Sequence, residues 1–206
     1  MPKTNFRIAR ISKPEAAKVL KPYHYLTGVS KDFKSGYNYG CFKGEELVGV
    51  AIFTALSVPE LACGMFGLAR SEQAGLFELS RLCLTPEVQR TEHNLASWFL
   101  SRAIKHLREQ TAVRAILSYA DDSTHRGVVY AASNFKYYGL TAAKKDFYTR
   151  GEDGTLTKQS RGKVKGLLGE WRDRTRKHRF VIVFDKALTI RWPEQKWANG
   201  RLPATY

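Results

Sequence analysis

One stretch, FELSRLCLTPEVQRTEHNLASWFLSRAIKHL from Phe77 to Leu107, limits the fold more than any other. It changes period once. Leu79, Leu82 and Leu84, set among Phe77, Glu78, Ser80, Arg81 and Cys83, form a run too short for a helix and suited to a buried strand. Thr85-Pro86 ends it, because proline brings no N–H to a sheet and pushes the residue before it toward extended geometry. From Asn94 onward, Leu95, Trp98, Phe99, Arg102, Ala103, His106 and Leu107 recur at three- and four-residue steps, which gathers apolar groups on one helix face. Asn94 is the expected N-cap. Arg102, Lys105, His106 and Arg108 crowd the far end, where cations suit the helix dipole. A strand feeding a helix N-terminus is either an ordinary crossover unit or a cradle for an anionic group.

The remaining segments put this unit at the centre of a sheet. Phe6 to Ile11 reads as a strand, with a short helix from Ser12 or Pro14. Tyr37 to Phe42 and Glu46 to Thr54 read as a hairpin turned at Lys43-Gly44-Glu45. Residues 55–76 carry no clear period. Val113 to Tyr119 is a buried strand that runs into the polar loop ADDSTHRG, at the strand end where sites gather in such sheets. A short helix over Gly127 to Ser133, a strand over Leu140 to Thr149 and a last strand over Phe180 to Phe184 follow. The order predicts an α/β fold, a mixed central sheet with flanking helices. The expected division is a core over residues 1–149, a basic insertion or arm over 150–179, and the last core strand with a tail over 180–206.

Charge points to the partner. Lys and Arg number 34 against 19 Asp and Glu, a net charge of +15. A field of that sign draws polyanions, of which nucleic acid is the commonest; acidic membrane surfaces and plain solubility are the alternatives. No apolar run is long enough to span a bilayer and the N-terminus lacks a signal-peptide core, so a cytoplasmic protein without a membrane partner is expected. Cys41, Cys63 and Cys83 are widely spaced and suggest three small buried side chains rather than disulfides or a zinc knuckle. Residues 150–179 hold ten Lys or Arg and four acids. Lys163, Lys165, Arg172, Arg174, Arg176 and Lys177 are therefore candidate phosphate contacts, unless the stretch is a solvated loop. Residues 21–40 interleave Tyr23, Tyr25, Tyr37 and Tyr39 with Lys31 and Lys34, a mixture that stacks bases and grips phosphates or simply packs on its own domain.

The element order resembles that of the GCN5-related N-acyltransferase superfamily. There a β–turn–α unit holds the donor's pyrophosphate, and a tyrosine on the short helix after the next strand often serves as general acid. Tyr130 stands in that place. A tighter resemblance is to the Mom family of bacteriophage DNA-modification proteins. It is carried by KPYHYL (21–26), ELSRL (78–82), ASWFLSRAIKHL (96–107), SYAD (118–121), HRGVVYAASNFKYYG (125–139) and KHRFVIVF (177–184), in one order. That resemblance implies an acyltransferase-like fold and conversion of adenine in double-stranded phage DNA to N6-carbamoylmethyladenine, which protects it from host restriction. It implies catalytic roles for Arg81, Asp121, Tyr130 and His24, and a dependence on iron(II). One departure bears on the donor. Arg90 to Ala96, RTEHNLA, has no glycine where acetyltransferases carry a glycine-containing pyrophosphate turn, and Glu92 adds negative charge. This counts against acetyl-CoA or a related acyl donor.

Each residue has a plainer role beside the functional one. Arg81 lies among apolar neighbours, where a guanidinium must be paired. It either holds an anionic group of donor or DNA, or forms an ion pair with Glu78 or Asp121. Asp121 is a proton acceptor for the adenine amino group, a metal ligand, or a loop cap. Tyr130 is a proton donor or a core side chain. His24, His125 and Asp121 make up a two-histidine, one-carboxylate ligand set, with no local spacing signature. Three readings stay open: a Mom-type enzyme, an N-acetyltransferase using acetyl-CoA on a small molecule or protein, and a non-catalytic DNA-binding module. A homodimer is also left open.

Overall fold

In the computed structural model, residues 4–25 and 32–197 are described. The main sheet has seven strands in the order β1-β2-β3-β4-β5-β10-β6. They are β1 (Phe6–Arg10), β2 (Tyr37–Lys43), β3 (Glu46–Ala55), β4 (Leu76–Leu84), β5 (Ala115–Asp121), β6 (Lys136–Leu140) and β10 (Lys177–Val183). Only β4 and β5 run parallel among the described residues. Their crossover is the Phe77–Leu107 unit, so the stretch that organises the sequence also organises the sheet.

Alternation along the strands sends successive side chains to opposite faces. Val50 and Ile52 of β3 meet Val19 and Leu20 of α1 (Lys13–Tyr23). Ala115 and Leu117 of β5 meet Ala62 and Met65 of α2 (Glu60–Phe66) on that same face. The other face packs Phe53, Leu79, Ile116 and Phe180 against Phe99, Leu100, Ala103 and Leu107 of α4 (Leu95–Gln110). α1 starts on a capping box: Ser12 Oγ accepts from the Glu15 N–H, and Glu15 Oε2 accepts from the Ser12 N–H at 2.7 Å.

A second sheet of three strands has the order β8-β7-β9. β7 (Lys144–Arg150) pairs on one side with β8 (Leu156–Lys158) and on the other with β9 (Glu170–Arg174). The basic stretch is thus folded, and its strands β8 and β9 pair with β7, which begins before residue 150. Asp146 is buried beneath them and binds Lys158 and Arg174.

Several sequence expectations need correction. The strand expected over 140–149 is β7, which starts only at Lys144, and a separate strand, β6, ends at Leu140. Between β4 and α4 lies an extra short helix, α3 (Pro86–Thr91). Asn94 does stand at the N-cap of α4, in the left-handed region with φ 58°, yet its side chain makes no capping bond. Cys41 and Cys83 are buried, but Cys63 is exposed on α2. No helix among the described residues is long and apolar enough to cross a membrane.

Candidate active site

The sheet opens where its parallel pair ends. β4 and β5 hold register from Leu76↔Ala115 to Leu79↔Ser118. Beyond that point β4 follows β3 through Arg81 and Leu82, and β5 follows β10 through Tyr119. The strands part around a cavity of about 360 Å³, walled by Arg81, Tyr119, His125, Arg126, Tyr130, His24 and Tyr25. Three of the four expected catalytic residues, His24, Arg81 and Tyr130, come together here from distant parts of the chain.

Arg81 is aimed by a bulge. Ile52 pairs with Arg81 and Phe53 with Leu79, leaving Ser80 as the extra residue, and such a bulge twists a strand and redirects the next side chain. Arg81 Nη1 donates to the Ser80 carbonyl at 2.6 Å. Both acids suggested as its partner bond elsewhere. Glu78 accepts from the Ser57 N–H at 3.0 Å, and Asp121 Oδ1 accepts from the Ser123 N–H at 3.1 Å and its hydroxyl at 2.7 Å. Among the described residues, no carboxylate forms an ion pair with Arg81.

His24 follows the end of α1, where its N–H donates to the Leu20 carbonyl at 3.0 Å. Its ring is buried and stacks on Tyr25 at 4.6 Å. Burial first, then the charge of Arg81 and His125, push its pKa down to about 4. Burial also lowers His125, while Asp121 pulls it back up. Tyr25 meets His125 at 6.0 Å and His125 meets Tyr130 at 6.4 Å, so four rings line the cavity in series. Tyr130 is on α5 (Val128–Ala131), and its hydroxyl donates to the Tyr119 carbonyl at 3.5 Å. Burial pushes that phenol up to about 12, so it stays protonated. Only glycine serves at position 127: its φ is 77°, and a Cβ would come within 2.4 Å of the Phe180 ring that backs Tyr130.

Asp121 ends β5 beside the cavity without lining it. Its carboxylate caps its own loop, and its charge reaches Tyr25 and His125. Among the described residues no group of at least 3 His, Cys, Asp or Glu is arranged to hold a metal ion. His24, His125 and Asp121 therefore do not fit iron as a ligand set. The start of α4 carries an acid and no glycine where a pyrophosphate would lie. Glu92 sits beside the helix start in an ion pair with Lys43 at 3.2 Å, and Gln89 of α3 donates to the Leu84 carbonyl at 2.7 Å.

Two features escape sequence reasoning. Arg126 lines the cavity with its Nε buried and without a hydrogen-bond acceptor among the described residues, 3.9 Å from Asp122 Oδ1. Behind it His178 Nε2 lies 2.7 Å from Asp122 Oδ1, and His178 Nδ1 lies 2.8 Å from the Tyr137 hydroxyl. A carboxylate only accepts, so Nε2 carries the hydrogen; in the neutral ring Nδ1 then accepts from the Tyr137 hydroxyl. Nothing local in the sequence joins residues so far apart; only the pairing of β10 with β5 and β6 does.

The expected DNA contacts divide. Tyr25 borders the cavity at 47 % exposure, whereas Tyr23, 49 % exposed, does not line it. Tyr39 cannot stack a base: it is 1 % exposed, with its hydroxyl on Gln110. Tyr37 is half-buried against Phe77. Lys34, Lys163 and Lys165 are exposed, and Lys31 lies outside the described residues. Arg172 is held by Glu170 and Arg174 by Asp146, while Arg176 donates to the Thr141 carbonyl. Lys177 lies 6.0 Å from the ring of Tyr119, on the cavity wall.

The fold is that of GNAT acetyltransferases. A Bacillus subtilis acetyltransferase solved with CoA is 14 % identical, with a TM-score of 0.50 over 87 % of this chain and 98 % of that one. A GNAT family acetyltransferase from Elizabethkingia anophelis with acetyl-CoA bound is 12 % identical, with a TM-score of 0.52 over 88 % of this chain and 100 % of that one. No curated relative matches at the level of sequence. At such identities the likeness establishes the fold alone. The family is established separately: the Mom protein family matches residues 5–198, almost the whole length, and this chain belongs to it.

Proposed function

We propose that this protein converts adenine in double-stranded DNA to N6-carbamoylmethyladenine and so hides the DNA from restriction enzymes. The observation that carries the reading is Arg81, a guanidinium with no acid partner among the described residues. It shares one cavity with two imidazoles of lowered pKa and a protonated phenol. A cavity of about 360 Å³ suits a single base or a small donor rather than a duplex, so the adenine has to leave the stack. Tyr25, half exposed at the rim, offers the flipped base an aromatic face.

The chemistry follows from the protonation states. The adenine N6 lone pair attacks the methylene carbon of an activated carbamoylmethyl donor. An N–C bond forms, and the leaving group departs with its bonding electrons. The N6 proton passes to His125, whose basicity Asp121 supports, while His24 accepts a hydrogen bond from the same amino group. Tyr130 gives its proton or a hydrogen bond to the leaving group. Arg81 holds the anionic part of the donor or a DNA phosphate. Asp121 positions the loop that carries His125. No step is assigned to iron or to CoA.

The test is nucleoside mass spectrometry on plasmid DNA from cells expressing each variant. Wild type is expected to yield a modified deoxyadenosine. Arg81→Ala should abolish it, and Tyr130→Phe, which keeps the ring, should lower it about a hundredfold. Full modification by both variants would refute the assignment of the site. Unmodified adenine in every sample, with tight acetyl-CoA binding by the soluble protein, would favour the acetyltransferase reading that its structural neighbours suggest.

A further inference from the structure

The small sheet ends in an apolar tip that its own fold does not use. Val164 to Leu167 make a tight turn: the Leu167 N–H donates to the Val164 carbonyl at 3.2 Å, and Gly166 has the positive φ, 80°, that a type II turn requires at its third residue. The next residue, Leu168, is 94 % exposed. The next most exposed large hydrophobic side chain among the described residues is Val128, at 57 %. The turn is anchored behind by Trp171, whose ring packs on Phe147 of β7 at 5.2 Å.

The charge around this tip is unbalanced. Asp146 is taken by Lys158 and Arg174, Glu170 by Arg172, and Asp173 lies 3.8 Å from Lys145. Lys163, just before the turn, and Lys165 on it are exposed, and no acid pairs with either among the described residues. The result is a leucine held out on a closed turn with positive charge on its flank.

We propose that residues 163–168 are a DNA wedge. Lys163 and Lys165 hold backbone phosphates, and Leu168 enters the base stack where a nucleotide has been turned out. The inference rests on the DNA-modification reading and adds how the duplex is opened. A displaced adenine leaves a gap, and an apolar side chain fills such a gap at lower cost than water does. Other occupants fit less well. A stable dimer buries on the order of 1,200 Å² or more, far beyond what one leucine and its neighbours supply. A bilayer needs a broader apolar face or two anchors.

The test uses a duplex with 2-aminopurine in place of several adenines, whose fluorescence rises on unstacking. Wild type, Leu168→Ala and Leu168→Phe are compared for duplex binding by anisotropy, for fluorescence, and for modified deoxyadenosine in plasmid DNA. Leu168→Ala removes only exposed atoms and is expected to fold and to bind DNA within about threefold of wild type. It should lose the fluorescence rise and drop modification about tenfold or more, with Leu168→Phe retaining both. Unchanged fluorescence and modification in Leu168→Ala would overturn the wedge and leave the DNA reading intact. A wild type that neither binds the duplex nor modifies adenine would overturn both. A Leu168→Ala change confined to oligomeric state or to binding of anionic vesicles would assign the tip to another partner.

Discussion

His24 ties stability to pH. In the unfolded chain it titrates near 6.5, and in the folded protein burial and Arg81 bring it down to about 4. Between those values the unfolded chain binds a proton that the folded one does not. Stability is therefore complete above pH 6.5 and declines as pH falls toward 4, by about 3 kcal/mol at most. His125, also lowered, slopes the same way. Denaturant titrations at pH 7 and pH 5 should show a clear loss for wild type and a markedly smaller one for His24→Gln. Equal losses would acquit His24. At this scale the sequence is legible where chemistry conflicts with its surroundings. Arg81 stands out as a guanidinium among leucines, and Tyr130 by its place after a strand-end loop. Arg126, Asp122 and His178 do not stand out, because each looks ordinary until β10 lies against β5.

The small sheet depends on one buried carboxylate. Burial works against ionisation of Asp146, but Arg174 and Lys158 outweigh it and hold the group below its usual pKa. Both cations are more than 40 % exposed, so solvent screens them and the cost of Asp146→Ala is about 1–3 kcal/mol rather than that of a fully buried pair. The expected effect is local. Limited proteolysis should cut Asp146→Ala within residues 150–175 while the main sheet keeps its protection, and an unaltered cleavage pattern would contradict this. The same element shows why the chain reads unevenly. β4 announces itself as a short apolar run buried on both faces, and α4 by the period of the one face it buries. β9, EWRDR, is exposed along its whole length and carries no alternation, so only its charge is visible beforehand. β6 escapes for a related reason: its KYYGL run meets Gly139 at φ 74° and shows no regular repeat.

Charge acts on the whole molecule. On the DNA-modification proposal, a net +15 predicts duplex binding that depends steeply on salt, because each neutralised phosphate releases counterions. The pairings narrow down where that dependence arises. Arg172, Arg174 and Lys158 are already engaged with acids, whereas Lys163 and Lys165 are exposed. Replacing both by alanine should flatten the slope of log Kd against log salt by about 2, and Arg174→Gln should change it less. Identical slopes for wild type and the double variant would take the tip out of the interface.

The place of β10 also sets when the protein becomes competent. This strand lies between β5 and β6, both of which precede it in the chain. Its Phe180 packs on Tyr130 at 5.3 Å and on Tyr137 at 5.2 Å, and its His178 completes the link from Tyr137 to Asp122. During translation β5 emerges early and waits with one edge bare, and Tyr130 has Phe135 beside it but not Phe180 until residues 177–183 leave the ribosome. A partly made chain therefore has the parts of the cavity without its back, and the closed cavity arrives in one late step of synthesis.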